Sequence, residues 1–84
     1  MKVYKEIDAY GNIRYRNEKR QLHRTDGPAI EWTDGSKEWY INNQQHRLDG
    51  PAREWPTGHK FWYINDQRLT EEQFNSKLYR ILYI

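Results

Sequence analysis

The chain contains no cysteine, which excludes a disulfide staple and a thiolate metal site and makes a reducing compartment such as the cytoplasm the expected setting. No stretch approaches the roughly 20 apolar residues of a membrane span. The N-terminus turns polar within its first few residues and has no signal-peptide core. A soluble, unprocessed protein without a membrane partner is the expectation. Aliphatic residues are also scarce, with a mean hydropathy of −1.26, so four Trp, seven Tyr and two Phe must supply most of the core. Each large ring can bury about 150–250 Å², while a chain of this size buries only about 60–65% of its unfolded surface. A flat, aromatic-lined sheet suits that supply. An excess of either charge is nearly lacking as well: 14 Lys and Arg stand against 12 Asp and Glu, for a net charge of +2, so the distribution of charge matters more than its sum.

What is present is one stretch written twice. Residues 23–45, beginning His23-Arg24-Thr25-Asp26-Gly27-Pro28-Ala29, return as residues 46–68, beginning His46-Arg47-Leu48-Asp49-Gly50-Pro51-Ala52, with 15 of 23 positions identical and no gap. Such self-similarity marks a repeat architecture whose units bury their apolar faces against one another. Gly11 to Tyr15 reads as a faded copy of Gly35 to Trp39. The expected organisation is one domain over residues 1–84: N-terminal strands and a degenerate repeat to residue 22, repeats over 23–45 and 46–68, and a helix and tail over 70–84.

Within each repeat, Asp-Gly-Pro is turn chemistry: Gly27 and Gly50 tolerate positive φ, and Pro28 and Pro51 fix φ and enter an edge or the first strand position. Ala-x-Glu-Trp is a short strand, Asp34-Gly35 a hairpin turn and Thr57-Gly58 its weaker version. Lys37 to Asn42 and Lys60 to Asn65 are the expected return strands. Period two places Trp39, Ile41, Trp62 and Ile64 on one face, as core, and Tyr40 and Tyr63 on the other. The chain then changes period. Thr70 followed by Glu71, Glu72 and Gln73 is a capping box, and Phe74, Leu78, Ile81 and Leu82 form one helical stripe, predicting a helix over about 71–82. The expected fold is mainly β with a C-terminal α-helix, an antiparallel β-meander of repeated hairpins. The apolar ending Ile81-Leu82-Tyr83-Ile84, together with open sheet edges, favours a homodimer.

The candidate site residues are cations. Arg14, Arg16, Lys19, Arg20 and Arg24 stand against Glu18 alone between residues 13 and 24, with His23 able to add charge in mild acid, and this cluster is the first candidate for phosphate contact. Differences between the copies point to a second area. Ile30 becomes Arg53, Ser36 becomes His59, Glu38 becomes Phe61 and Gln45 becomes Arg68, changes that a packed interior rarely accepts, so these positions should face solvent or a partner. Arg53, His59 and Lys60 thus extend the basic surface. Arg24 and Arg47 recur with the repeat and rank lower, because they can fork onto internal carboxylates such as Glu31 or Glu54 while Asp26 and Asp49 accept turn N–H groups. Tyr40 and Tyr63 could stack bases.

Catalysis finds little support. His-Arg-x-Asp matches a kinase catalytic loop for three letters, yet it occurs twice, without a Gly-rich loop or a metal-binding Asp-Phe-Gly. The three histidines lack metal-ligand spacing, and Ser36 and Ser76 have no nucleophile-elbow context. The expectation is a non-enzymatic protein with no cofactor.

The segments Leu22 to Ala29, Trp32-Thr33-Asp34-Gly35, Trp39-Tyr40-Ile41-Asn42 and the second copy from His46 resemble the His-Arg-x-Asp-Gly-Pro-Ala repeats of many bacteriophage and some bacterial proteins, over about residues 10–68. In length, repeat number and capped helix the chain is similar to small phage inhibitors of ToxN-like endoribonuclease toxins. That resemblance implies a homodimeric RNA-binding protein of the host cytoplasm whose partners are RNA and a host toxin–antitoxin ribonuclease. The competing expectation is a protein-binding repeat module that occludes its target directly, through Phe61, Tyr63 and the apolar tail.

Overall fold

The computed structural model describes residues 2–76. Leu78, Ile81 and Leu82 of the expected helical stripe, and the apolar ending, lie outside the described residues. Among those described, nine short strands precede one helix: β1 (Tyr4–Ile7), β2 (Ile13–Arg16), β3 (Ile30–Glu31), β4 (Lys37–Glu38), β5 (Tyr40–Ile41), β6 (Gln44–Gln45), β7 (Arg53–Glu54), β8 (Lys60–Ile64), β9 (Gln67–Leu69) and α1 (Glu71–Asn75). Seven strands form one antiparallel sheet in the order β1-β2-β3-β4-β7-β8-β9, and β5-β6 is a separate hairpin between β4 and β7. The fold is therefore mainly β, an antiparallel meander with a short C-terminal helix, and its least extent of 17 Å leaves little depth beyond one sheet with its side chains.

Three hairpins close in the same way. The amides of Gly11, Gly35 and Gly58 donate to the carbonyls of Asp8, Trp32 and Trp55, and the amides of those three residues donate to Asn12, Ser36 and His59. Each glycine sits at φ of 88–94°, the left-handed position that ends a three-residue loop. The faded copy at Gly11 thus has the backbone of the full ones. Gly27 and Gly50 tolerate positive φ but are not among the positive-φ glycines. A Cβ at either would lie 2.9 Å from the guanidinium carbon of Arg24 or Arg47, so the arginine would have to shift.

The return strand of the first repeat does not run through. It breaks at Trp39, whose amide donates to Ala52, while the Tyr40 carbonyl accepts from Arg24. The chain then reverses at Asn42-Asn43, both at positive φ, as the second copy reverses at Asn65-Asp66. These are two-residue turns of the type that Asn favours. Each turn docks on the preceding unit. The Asn43 amide donates to the Leu22 carbonyl and Asn43 Oδ1 accepts from the Leu22 amide; Asp66 makes the same pair of bonds with Gln45. His23 Nδ1 accepts from the Asn42 amide and His46 Nδ1 from Asn65. A ring nitrogen that accepts carries no proton, and the His23 ring is buried, so it does not join the exposed cations. The degenerate unit has one residue more at the equivalent turn, Glu18-Lys19-Arg20, with Arg20 at φ 63° and the buried Asn17 amide bonding the loop from within.

A change of residue type ends the array. Where a third motif would place His and Arg stand Leu69 and Thr70. The amides of Arg24 and Arg47 donate within their own repeats, to the carbonyls of Tyr40 and Tyr63, whereas that of Thr70 donates to Gln73 Oε1 in the capping box. Phe74 packs on Trp62, its ring 6.5 Å away, and closes the core of Ile64, Leu69 and Phe74. Of the expected core residues, Ile64 is wholly buried, Trp62 packs against this cluster, and Trp39 and Ile41 are half-buried. The helix is shorter than expected: Ser76 is extended.

Candidate nucleic-acid interface

Strand register sorts the side chains onto two faces. Cross-strand pairing runs Glu6, Arg14, Ile30, Glu38, Arg53, Phe61 in one row and Ile7, Ile13, Glu31, Lys37, Glu54, Lys60 in the next. Alternation assigns Tyr15, Trp39 and Trp62 to the side of the second row, called here the motif face, and Trp32, Tyr40, Trp55 and Tyr63 to the opposite face.

On the motif face, the repeated arginines are held internally. The Arg24 guanidinium lies 4.0 Å from the Tyr15 ring centroid and Arg47 lies 3.9 Å from that of Trp39, a cation–π arrangement. Each also donates to Asp26 or Asp49 and to a proline carbonyl, and stands 3.8 or 3.7 Å from Glu31 or Glu54. The expected fork onto Glu31 and Glu54 reduces to one long ion-pair contact each, and the hydrogen bonds go to the aspartates and the proline carbonyls. Asp26 and Asp49, expected to take turn N–H groups, instead accept from the arginines. A cleft of about 650 Å³ between the two motif loops is lined by these residues, but its arginines already have partners.

The cation cluster of residues 14–24 does not stay together. Arg14 and Arg16 alternate onto the opposite face and Arg24 onto the motif face. Arg14 bonds Asp8 at 2.9 Å and lies over Trp32 at 5.1 Å; the guanidinium, with the Asn12 side chain and the amides of Asn12 and Tyr10, holds the Asp8 carboxyl down at about 2. Arg16 pairs with Glu6 and donates to the Arg20 carbonyl. Lys19 and Arg20, on the loop, are exposed and have no ion pair among the described residues. Arg16 and Arg20 line a groove of about 680 Å³ with Tyr4.

All four positions singled out as differing between the copies lie on the opposite face, and they create two different environments. In the first copy, Ile30 and Glu38 are buried, against the expectation that both face outward. Glu38 accepts from Trp32 Nε1 at 2.7 Å, the Tyr40 hydroxyl at 3.1 Å and Gln45 Nε2 at 3.4 Å. Burial, then the charge and hydrogen bond of Glu38, push the Tyr40 phenol up to about 12. In the second copy Phe61 replaces the carboxylate. Its ring lies 5.4 Å from Trp55 and 4.9 Å from the Arg68 guanidinium, with Arg53 at 5.8 Å from both rings and His59 against Trp55 at 6.1 Å. Trp55 is 42% exposed, and its indole N–H has no hydrogen bond among the described residues. Arg53 stands 3.7 Å from Glu38; its buried Nε has no hydrogen-bond partner. Lys60 projects from the motif face but sits at the sheet margin, where it borders a groove of about 320 Å³ with Phe61 and Arg68.

The arrangement thus joins Arg53 and His59, with Lys60 at the rim, to three residues outside the sequence-derived site: Trp55, Phe61 and Arg68. Arg14 lies on the same face three strands away, about 14 Å at the usual strand spacing. The signal for Phe61 and Arg68 lay in the differences between copies. Trp55 carried none, because Trp32 stands at the same place in the other repeat and reads as scaffold. Among the described residues no group of three metal-ligating side chains comes together and no helix is long and apolar enough to cross a membrane. Comparison with protein-family models, curated proteins and solved structures finds no match.

Proposed function

We infer that the protein is a non-enzymatic RNA-binding module, and that it acts as the resemblance of its repeats implies: a phage inhibitor of a host toxin–antitoxin endoribonuclease, working in the host cytoplasm as a homodimer through RNA held between inhibitor and toxin. The observation that carries the RNA reading is the conversion of Ile30, Ser36, Glu38 and Gln45 to Arg53, His59, Phe61 and Arg68 on one face of the sheet. Going from the first set to the second removes one acid and adds two arginines. Backbone phosphates need cations, and base recognition outside a duplex needs ring faces; this patch supplies both. Arg16, Lys19 and Arg20 supply a second, looser grip at the far side.

Gel-shift binding to total bacterial RNA tests this. Wild-type binding should weaken steeply with salt, an Arg53→Ala/Arg68→Ala variant should lose most of it, and an Arg16→Ala/Lys19→Ala/Arg20→Ala variant should lose part. Inhibition of a ToxN-like ribonuclease should vanish once bound RNA is stripped from the protein. Inhibition that persists without RNA, and barely responds to salt, would support direct occlusion instead. A specific observation favours keeping that second reading: Val3, Tyr4, Ile7 and Tyr10 form an exposed apolar margin along β1.

A further inference from the structure

We propose that the Trp55–Phe61 pair is a stacking subsite for unpaired bases, so that the ligand class is single-stranded RNA and duplex RNA is discriminated against. This rests on the RNA reading and narrows it. The two rings are tilted by 57° with centroids 5.4 Å apart, so they form an open angle and do not cover each other's faces as a parallel stack would. Trp55 is the more exposed ring, and no residue described here closes a hydrogen bond on its indole N–H, in contrast to Trp32, whose N–H is held by Glu38. Arg53 and Arg68 flank the pair at cation–π distances. Arg68 is exposed at the edge strand β9, placed to meet the phosphates of a chain whose bases lie on the rings.

The groove beside Phe61 extends this subsite toward the sheet margin and has Lys60 on its rim. A base in a duplex keeps its faces stacked on its neighbours and cannot reach a ring without being extruded. Unpaired nucleotides reach it freely, and stacking of this kind tolerates any base. Preference for single strands with little preference for sequence follows.

The test uses the full chain, titrated into labelled oligouridylate, oligoadenylate and a blunt RNA duplex of the same length. Both single strands should bind more tightly than the duplex. Trp55→Ala should weaken single-strand binding by about five- to 150-fold, the range that loss of one stacked base gives, while duplex binding changes little and far-UV circular dichroism stays that of the wild type. Trp55→Tyr should restore most of the affinity, which a purely structural loss would not allow. Equal affinity for duplex and single strand, or wild-type affinity in Trp55→Ala while Arg53→Ala/Arg68→Ala binds poorly, would overturn the subsite and leave the RNA reading standing. Failure of the wild-type protein to bind any of the three RNAs would overturn both.

Discussion

The surroundings of Glu38 and of Phe61 occupy equivalent places in the two copies, yet one is closed and the other open. Around Glu38, a buried carboxylate gathers an indole N–H, a phenol and an amide into a network of its own. Around Phe61 the corresponding indole, phenol and guanidinium have no carboxylate to gather them, and they are left as ring faces and charge at the surface. A buried acceptor that satisfies three donors makes structure. The same donors without an acceptor make a surface available to a ligand. The repeat therefore keeps its shared face for folding and varies the other, as expected if sites are grafted onto a scaffold.

That division can be broken most severely from the shared side. Ile64→Ala removes the one large side chain that is wholly buried among the described residues, and the expected loss is about 2–5 kcal/mol, a large part of what so small a fold can have. Trp55→Ala, on the divergent side, should cost less than about 1 kcal/mol, since exposed positions contribute little. Urea midpoints of the two variants check this; similar losses would mean that the divergent face is structural too. Next in size is Glu38→Ala. It leaves the Trp32, Tyr40 and Gln45 donors without their acceptor, at a cost of about 1–3 kcal/mol, and the Tyr40 phenol should titrate below about 12, since the Glu38 charge and hydrogen bond are gone while burial still raises it, followed by ultraviolet absorbance.

The smallest expected effect concerns pH and the histidine that both copies share. Burial pushes His46 below its ordinary 6.5, and its Nδ1 accepts the Asn65 amide only when unprotonated. The unfolded chain therefore binds the proton more readily than the folded one. This contribution to stability is intact above pH 6.5 and is lost as pH falls below it. Urea midpoints should decline from pH 8 to pH 5, and His46→Leu, which copies the Leu69 of the terminal unit, should flatten that decline. A slope unchanged by the substitution would place its origin in other groups.

The period of the chain made the scaffold legible: the repeat, the three hairpins, the capping box and the internal arginines all follow from recurrence and local chemistry. Arg24 and Arg47 were readable because a residue repeated at fixed spacing beside a repeated glutamate has a structural partner at hand. The site was less so. A run of cations in sequence is not a cluster in a strand, since alternation sent Arg14 and Arg24 to opposite faces, and acids distant in sequence, Asp8 and Glu6, met Arg14 and Arg16 across β1. The divergent positions correctly pointed to one surface, but Ile30 and Glu38 are buried there, because exposure also depends on what neighbours cover. The turns at Asn42-Asn43 and Asn65-Asp66 were missed although their residue types announce them. The capping box marks the start of the helix, which ends at Asn75 before an extended Ser76; the rest of the expected span lies outside the described residues.

If the absence of one carboxylate is what opens the second copy to RNA, restoring that carboxylate should close it. Phe61→Glu puts it back, within reach of Trp55, Tyr63 and Arg68 by analogy with the bonds Glu38 makes. The affinity of this variant for single-stranded RNA, measured beside its urea midpoint, is the direct test. The predicted result is a loss of at least about tenfold in affinity, or about 1.4 kcal/mol, with stability equal to or above that of the wild type. Undiminished RNA binding by a folded Phe61→Glu protein would contradict it.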